Sequence, residues 1–352
     1  MNRVLMKGNE AIAKAAIISG CRYFFGYPIT PQNEIPEYMA REMHKVGGVF
    51  LQSESEIAAI NMVYGASGSG GRVMTSSSSP GIALKQEGIS YIASAELPCV
   101  IVNMMRSGPG LGGIQPSQAD YFQVTRGGGN GDYRVISYAP ASVQESVELV
   151  NRAFRVSEKY RIPAMIAGDG MIGQMMEPVD FSGIEELDRV ERPWAATGTD
   201  SHPGRNVIST LMLEPSSLES HNVKLKAKHD LIESEEAMYE TYNMDGAEVV
   251  LVAYGTTSRI VKNTISALES HGVKAGLIRP ITLWPFPKQA FSKIPSGCKL
   301  VMSVEMSMGQ MIDDVEIALG GRFISAFYGK AGGVVPTPSD IVDAVISNLE
   351  VI

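Results

Sequence analysis

The stretch Arg22-Tyr23-Phe24-Phe25-Gly26-Tyr27-Pro28-Ile29-Thr30-Pro31 decides how the rest of the chain is read. Arg22 to Tyr27 is a short aromatic run suited to a pleated, half-buried strand. Two prolines then fix φ on either side of Thr30, so the strand must run into a stiff loop. Pro31 to Lys45 has helical character, with Pro31 placed at the first helical position, where a missing N–H costs nothing. Upstream, Gly8 to Gly20 reads as a helix with Asn9 as N-cap and a closing glycine. Downstream the alternation continues: strand Gly48 to Gln52, helix Ser55 to Gly68, strand Arg72 to Thr75, helix Pro80 to Ser94, strands Pro98 to Met105 and Tyr133 to Tyr138, helix Ser142 to Lys159, strand Ala164 to Gly168. Strands alternating with helices predict an α/β fold whose mostly parallel sheet is covered on both faces.

After Met175 the character changes. Apolar runs become scarce, and Glu214 to Asn243 is polar with helical spacing at Leu218, Leu225, Leu231 and Met238, as expected of one long exposed or domain-crossing helix. From Ala247 a second α/β pattern of about a hundred residues begins, enough for a compact domain. The expected division is therefore 1–176, a connector at 177–245, and 246–352.

Composition narrows the function. Hydrophobic residues make up 44% of 352 and charged residues 19%, which is globular rather than disordered. The net charge of −8 and the lack of a basic stripe speak against nucleic-acid binding, which needs clustered cations. The first residues lack the apolar core of a signal peptide, and no apolar run approaches the ~20 residues that span a bilayer, so a cytoplasmic protein is expected. Cys21, Cys99 and Cys298 form no CxxC pair, which disfavours a zinc ribbon or an iron–sulfur cluster held by this chain alone.

Ligands of open parallel sheets bind beyond the carboxyl ends of the strands, so the loops there carry the candidates. Thr30 offers a hydroxyl on a rigid backbone. Glu56, in Gln52-Ser53-Glu54-Ser55-Glu56, either closes a capping box with Ser53 or is a carboxyl buried against an apolar helix face and available for proton exchange. Arg106, before Ser107-Gly108-Pro109-Gly110-Leu111-Gly112-Gly113, suits bidentate capture of a carboxylate or phosphate, or a surface ion pair. Met104-Met105 would give an apolar, adaptable lining, or simply sheet core.

Two motifs are discounted. Residues 108–113 match GxGxxG, but Asp132 precedes its strand and Gly127 to Gly131 interrupts the βαβ unit. Gly168-Asp169-Gly170 resembles the start of a thiamine-enzyme metal-diphosphate motif, yet the paired asparagines expected some thirty residues later are missing, with Gly-Thr-Asp-Ser-His-Pro-Gly-Arg-Asn standing at 198–206. His44, His202, His221, His229 and His271 lie in polar surroundings and are expected to be solvated.

Taken together, Phe25-Gly26-Tyr27-Pro28-Ile29-Thr30-Pro31, Gln52 to Glu56 and Met105-Arg106-Ser107-Gly108-Pro109 resemble the α subunit of multi-subunit 2-oxoacid:ferredoxin oxidoreductases. The best fit is to the branched-chain (3-methyl-2-oxobutanoate) type, with the 2-oxoglutarate type next. The resemblance implies a thiamine-enzyme pyrimidine-type domain with a parallel sheet flanked by helices. Val252 to Thr257 and Arg279 to Pro287 resemble the transketolase C-terminal-like α/β domain that follows it.

The resemblance also implies thiamine diphosphate shared with a β subunit, with Mg²⁺ and a 4Fe-4S cluster on partner subunits, the latter ferredoxin-like or γ, and with coenzyme A and ferredoxin as co-reactants. Glu56 and Pro28 would meet the cofactor, Glu56 acting on the pyrimidine N1′, while Thr30 and Arg106 would hold the 2-oxoacid carboxylate. A non-catalytic scaffold subunit is the rival from another class. Gln32 and Asn33 stand where many relatives have two serines.

Overall fold

The computed structural model describes residues 3–188, 191–198 and 204–352; His202 and most of the 198–206 stretch fall outside them. The strands in chain order are β1 (Val4–Lys7), β2 (Tyr23–Gly26), β3 (Val49–Gln52), β4 (Val73–Ser77), β5 (Cys99–Met105), β6 (Ile136–Tyr138), β7 (Pro163–Asp169), β8 (Met176–Val179), β9 (Tyr239–Tyr242), β10 (Val249–Val252), β11 (Ala275–Pro280), β12 (Thr282–Trp284), β13 (Leu300–Glu305) and β14 (Ser325–Gly329). The first four helices are α1 (Gly8–Ile18), α2 (Glu34–Glu42), α3 (Glu56–Gly68) and α4 (Ser79–Ser94).

A seven-stranded sheet of order β12-β6-β7-β5-β4-β2-β3 forms the first body. All its pairings are parallel except β12 with β6. Its centre, β5 and β7, is buried along its whole length, and Val100-Ile101-Val102 and Ala164-Met165-Ile166 are the continuous apolar runs that a sheet covered on both faces demands. Met104 and Met105 belong to this core, on opposite faces of the sheet. A second sheet, β14-β13-β10-β11-β9, is parallel except at β9. Among the described residues no helix is long and apolar enough to cross a membrane.

The two bodies are tied covalently and by pairing. β12 lies beyond residue 246 yet completes the first sheet against β6. Gln118 bridges to the second body: its Nε2 donates to the Tyr254 carbonyl (2.9 Å), and its Oε1 accepts from Thr257 Oγ1 (2.7 Å) and Met306 N (3.0 Å). Arg279 donates to both Glu145 oxygens at 2.8 and 2.9 Å and to Glu240 at 2.7 Å.

Several local expectations change. The first helix starts at Gly8 with Lys7 at the N-cap, because Asn9 is buried and spends its Nδ2 on the Pro31 carbonyl (2.8 Å) and on Glu34 (2.7 Å). Pro31 is not at a helix start; α2 begins at Glu34, and a 3₁₀ turn, Met43–Val46, follows it. β6 begins only at Ile136. The connector helix is Pro215–Glu235 and buries Leu225, His229 and Ile232, spaced i, i+4, i+7, whereas Leu218 and Leu231 are exposed and Met238 lies beyond the helix. His229 is therefore not solvated: it packs edge-on against Trp284, and burial pulls its pKa down to about 4.

Candidate active site

Every candidate lies at the carboxyl end of the large sheet, where β2, β3, β4 and β5 open into loops. The Tyr27–Pro31 loop leaves β2 with Pro28 and Thr30 exposed, and the Thr30 hydroxyl makes no hydrogen bond to a described residue. Gln32 anchors this loop from beneath. It is fully buried, its Oε1 accepts from Ser76 Oγ on β4, and its Nε2 donates to the Tyr27 carbonyl (3.3 Å). Asn33 occupies the N-cap of α2 without a side-chain capping bond. The pair thus divides its work: Gln32 cross-links the loop to the sheet, and Asn33 marks where the helix begins.

Arg106 ends β5 and is neither a surface ion pair nor exposed. Only 7% of its surface is accessible, and its guanidinium donates to the Thr30 carbonyl (2.9 Å) and the Leu111 carbonyl (3.0 Å). Arginine has five N–H donors, and Nε is buried without a partner here, so most of its donor capacity remains uncommitted. Its backbone is held as well: Arg106 N donates to Ser79 Oγ (2.9 Å), which in turn donates to Asp120 (2.6 Å). Asp120 also accepts from Asn103 Nδ2 (3.0 Å). Burial pushes the Asp120 carboxyl above its ordinary range, opposed by those two bonds and by the Arg106 charge. The loop beyond Arg106 closes on itself, with Ser107 N donating to the Gln115 carbonyl and Gly113 N to Ser107. Residues 108–113 open no helix, the next one beginning only at Tyr121, so the GxGxxG match lacks the helix N-terminus that a dinucleotide site uses.

Glu56 is the first residue of α3, not the third. The N-cap is Ser55, whose Oγ accepts from Ala58 N (3.2 Å). Ser53 instead bonds the carbonyls of Gly26 and Ser55, so the capping-box reading of Glu56 fails. The residue is buried, with 7% of its surface accessible, and its carboxyl makes no hydrogen bond to a described residue. It lies against the start of α4: a Cβ on Gly81 would collide with Ser77 Oγ and come within 2.7 Å of Glu56 Oε1. Ser77 Oγ and Ser78 Oγ are themselves buried and unpartnered. The Glu56 carboxyl thus has no donor among the described residues and borders unpartnered hydroxyls and a bare glycine.

The structure brings Thr30 and Arg106 into direct contact and links Glu56 to them through the Ser77–Gly81 turn. Asp169 goes elsewhere: it caps the short helix after β7 through Met171 N (2.9 Å) and Ile172 N (3.1 Å). One residue was missed. Lys85, on α4, is fully buried, and its Nζ donates to Thr75 Oγ1 (2.7 Å) and the Ser76 carbonyl (3.1 Å). The signal was there, because Lys85 falls on the apolar stripe of Ile82, Ile89 and Ile92, where a solvated lysine has no place.

The family described as pyruvate flavodoxin/ferredoxin oxidoreductase, thiamine diphosphate-binding, matches residues 14–243. The chain belongs to the 2-oxoacid:ferredoxin oxidoreductase family. Pyruvate:ferredoxin oxidoreductase core domain II matches residues 247–341. A ketoisovalerate oxidoreductase subunit VorB of Methanothermobacter marburgensis is 46% identical over 331 residues, 94% of each chain. A 2-oxoglutarate synthase subunit KorA of Methanocaldococcus jannaschii is 37% identical, covering 97% of this chain and 98% of that one. Among solved structures, the 2-oxoglutarate:ferredoxin oxidoreductase of Magnetococcus marinus, with 2-oxoglutarate, coenzyme A and succinyl-CoA bound, superimposes with a TM-score of 0.86 at 25% identity. It covers 99% of this chain, which spans 65% of that longer one. The fold of this oxidoreductase subunit is thus a thiamine-enzyme pyrimidine-type domain followed by a transketolase C-terminal-like α/β domain.

Proposed function

We propose that this chain is the α subunit of a cytoplasmic complex that oxidatively decarboxylates 3-methyl-2-oxobutanoate to its acyl-CoA and reduces ferredoxin. It works only when a β subunit supplies the Mg²⁺-diphosphate half of the site and a ferredoxin-like subunit the 4Fe-4S cluster. The observation that carries the reading is Glu56: a buried residue whose carboxyl has no donor among the described residues and faces the cradle at Gly81. That is the environment a pyrimidine nitrogen needs if a proton is to be shared with the protein. When bound, thiamine diphosphate supplies the nucleophilic carbon and the electron sink for loss of CO₂.

The chain's own residues supply the rest. Glu56 holds or takes up a proton at its carboxyl oxygen, and the exposed ring of Pro28 packs beside the cofactor. The Thr30 hydroxyl and the uncommitted donors of Arg106 grip the substrate carboxylate, fixing it before bond-making, which is a proximity effect. The Arg106 bond to the Thr30 carbonyl makes these two grips one rigid unit. Leu111 and Ile114, both exposed on the loop that Arg106 anchors, support a branched aliphatic substrate, since residues 107–116 hold no second cation for a distal carboxylate.

The test is a panel of 3-methyl-2-oxobutanoate, 2-oxoglutarate and pyruvate on the reconstituted complex, read as coenzyme A-dependent viologen reduction. The branched substrate should give the highest kcat/KM, and Glu56→Gln should remove at least ~100-fold of it. A preference for 2-oxoglutarate would move the chain to that branch of the family. Full activity in Glu56→Gln would leave only a scaffold role.

A further inference from the structure

Gly81 and Lys85 are four residues apart on α4 and so occupy one face of it, one turn apart. That face meets α3 closely, because Gly81 and Gly88 have no side chains to hold the helices apart: a Cβ on Gly88 would lie 2.5 Å from Ile60. Glu56 rests on this seam at Gly81, and Lys85 lies one turn deeper. Thr75 Oγ1 donates to the Phe25 carbonyl (2.6 Å), so towards Lys85 it acts as an acceptor. With the Ser76 carbonyl this uses two of the three ammonium protons. The amine is thus held by two neutral oxygens and forms no ion pair with a described carboxylate. The ionisable groups acting on it are Glu56 from α3 and the Cys99 thiol from the start of β5. Burial raises the Cys99 thiol to about 12, which leaves it uncharged, so among the described residues Glu56 is the counter-charge.

We propose that Lys85 is a positioning residue for Glu56: its buried amine, one turn along α4 from the glycine that Glu56 rests on, acts by its charge across the α3–α4 seam on the carboxyl that meets the cofactor. The proposal rests on the assignment of Glu56 made above. A charged Lys85 attracts the Glu56 carboxylate across the seam; a neutral amine does not. Burial pulls the Lys85 pKa down to about 7, partly offset by Glu56, so the change falls in the neutral range. Thr75 and Ser76 complete the arrangement: the same β4 segment that holds Lys85 also holds Gln32, so the buried amine and the Tyr27–Pro31 loop share one support.

The experiment is a pH titration of the full chain without cofactor, labelled with ¹³Cε-lysine and followed by NMR. One resonance, lost in Lys85→Met, should titrate near neutral pH. In Glu56→Gln its midpoint should fall by about one pH unit or more, because the stabilising anion is gone. If Lys85→Met fails to fold, the neutral-range resonance is still recognised by its own midpoint, and its response to Glu56→Gln decides. An unmoved midpoint, or no lysine titrating below pH 9, overturns the proposal. Failure of the assembled wild-type complex to bind thiamine diphosphate would instead defeat the functional reading and leave the coupling intact, so the two are separable.

Discussion

Gly81→Ala should separate the fold from the chemistry. A Cβ at this position would sit 2.7 Å from Glu56 Oε1 and 3.1 Å from its Cγ, and would overlap Ser77 Oγ. Ordinary van der Waals contact begins at 3.4 Å, so the Glu56 carboxyl must retreat by about 0.7 Å. The obstructing oxygens are side-chain tips that can rotate, and alanine is up to about 1 kcal/mol better than glycine in a helix, so net stability should stay within about 1 kcal/mol of wild type. A misplacement approaching 1 Å at a reacting group costs on the order of 100-fold, so kcat/KM should fall roughly 30- to 100-fold. That is about 2–3 kcal/mol of transition-state stabilisation. Gly88→Ala provides the converse on the same helix: its Cβ meets the branched body of Ile60, not a rotatable tip, and should cost about 1–3 kcal/mol of stability while leaving Glu56 in place. The assays are thermal denaturation of the chain and viologen reduction by the reconstituted complex. Gly81→Ala with near wild-type turnover would refute the placement of Glu56 against α4 in the working site.

Two further perturbations follow from the same geometry. Arg106→Lys replaces a planar fork by a single ammonium that cannot serve the Thr30 carbonyl, the Leu111 carbonyl and a substrate carboxylate together; kcat/KM should drop about 10- to 100-fold, mainly through KM, measured by varying the 2-oxoacid. His229 is held below its unfolded pKa by burial, so the unfolded chain binds a proton that the native chain refuses as pH falls from about 6.5 towards 4. Wild type should therefore lose stability relative to His229→Leu across that window, by up to about 1.4 kcal/mol per pH unit, in denaturant titrations at successive pH values; parallel curves would remove the buried-histidine argument.

The parts of the site that rest on backbone chemistry were legible in the chain. Proline on both sides of Thr30 announced a rigid loop, and the strand–helix alternation placed Thr30, Glu56 and Arg106 at one end of a sheet. What stayed hidden depends on neighbours distant in sequence. Asn9 looked like an N-cap because its use, the Pro31 carbonyl, lies 22 residues away. Ser53 and Ser55 are equivalent as capping residues in sequence, and only the Gly26 carbonyl, which engages Ser53, decides between them. β12 is three residues long, too short for a periodicity, and pairs back to a distant strand, with Thr282 facing Tyr138, 144 residues earlier. Lys85 drew no reading and His229 was read as solvated because its residue type usually is; their helical phase with buried isoleucines was the stronger signal.

The central claim is that this chain holds half of a thiamine site: proton exchange at Glu56 and the carboxylate grip at Thr30 and Arg106, with diphosphate and metal held by a partner. Calorimetric titration of thiamine diphosphate with Mg²⁺ into the chain alone, the β partner alone and the assembled complex tests it most directly. The account predicts saturable binding only in the assembly, weakened by Glu56→Gln; equally tight binding to the isolated chain would contradict it.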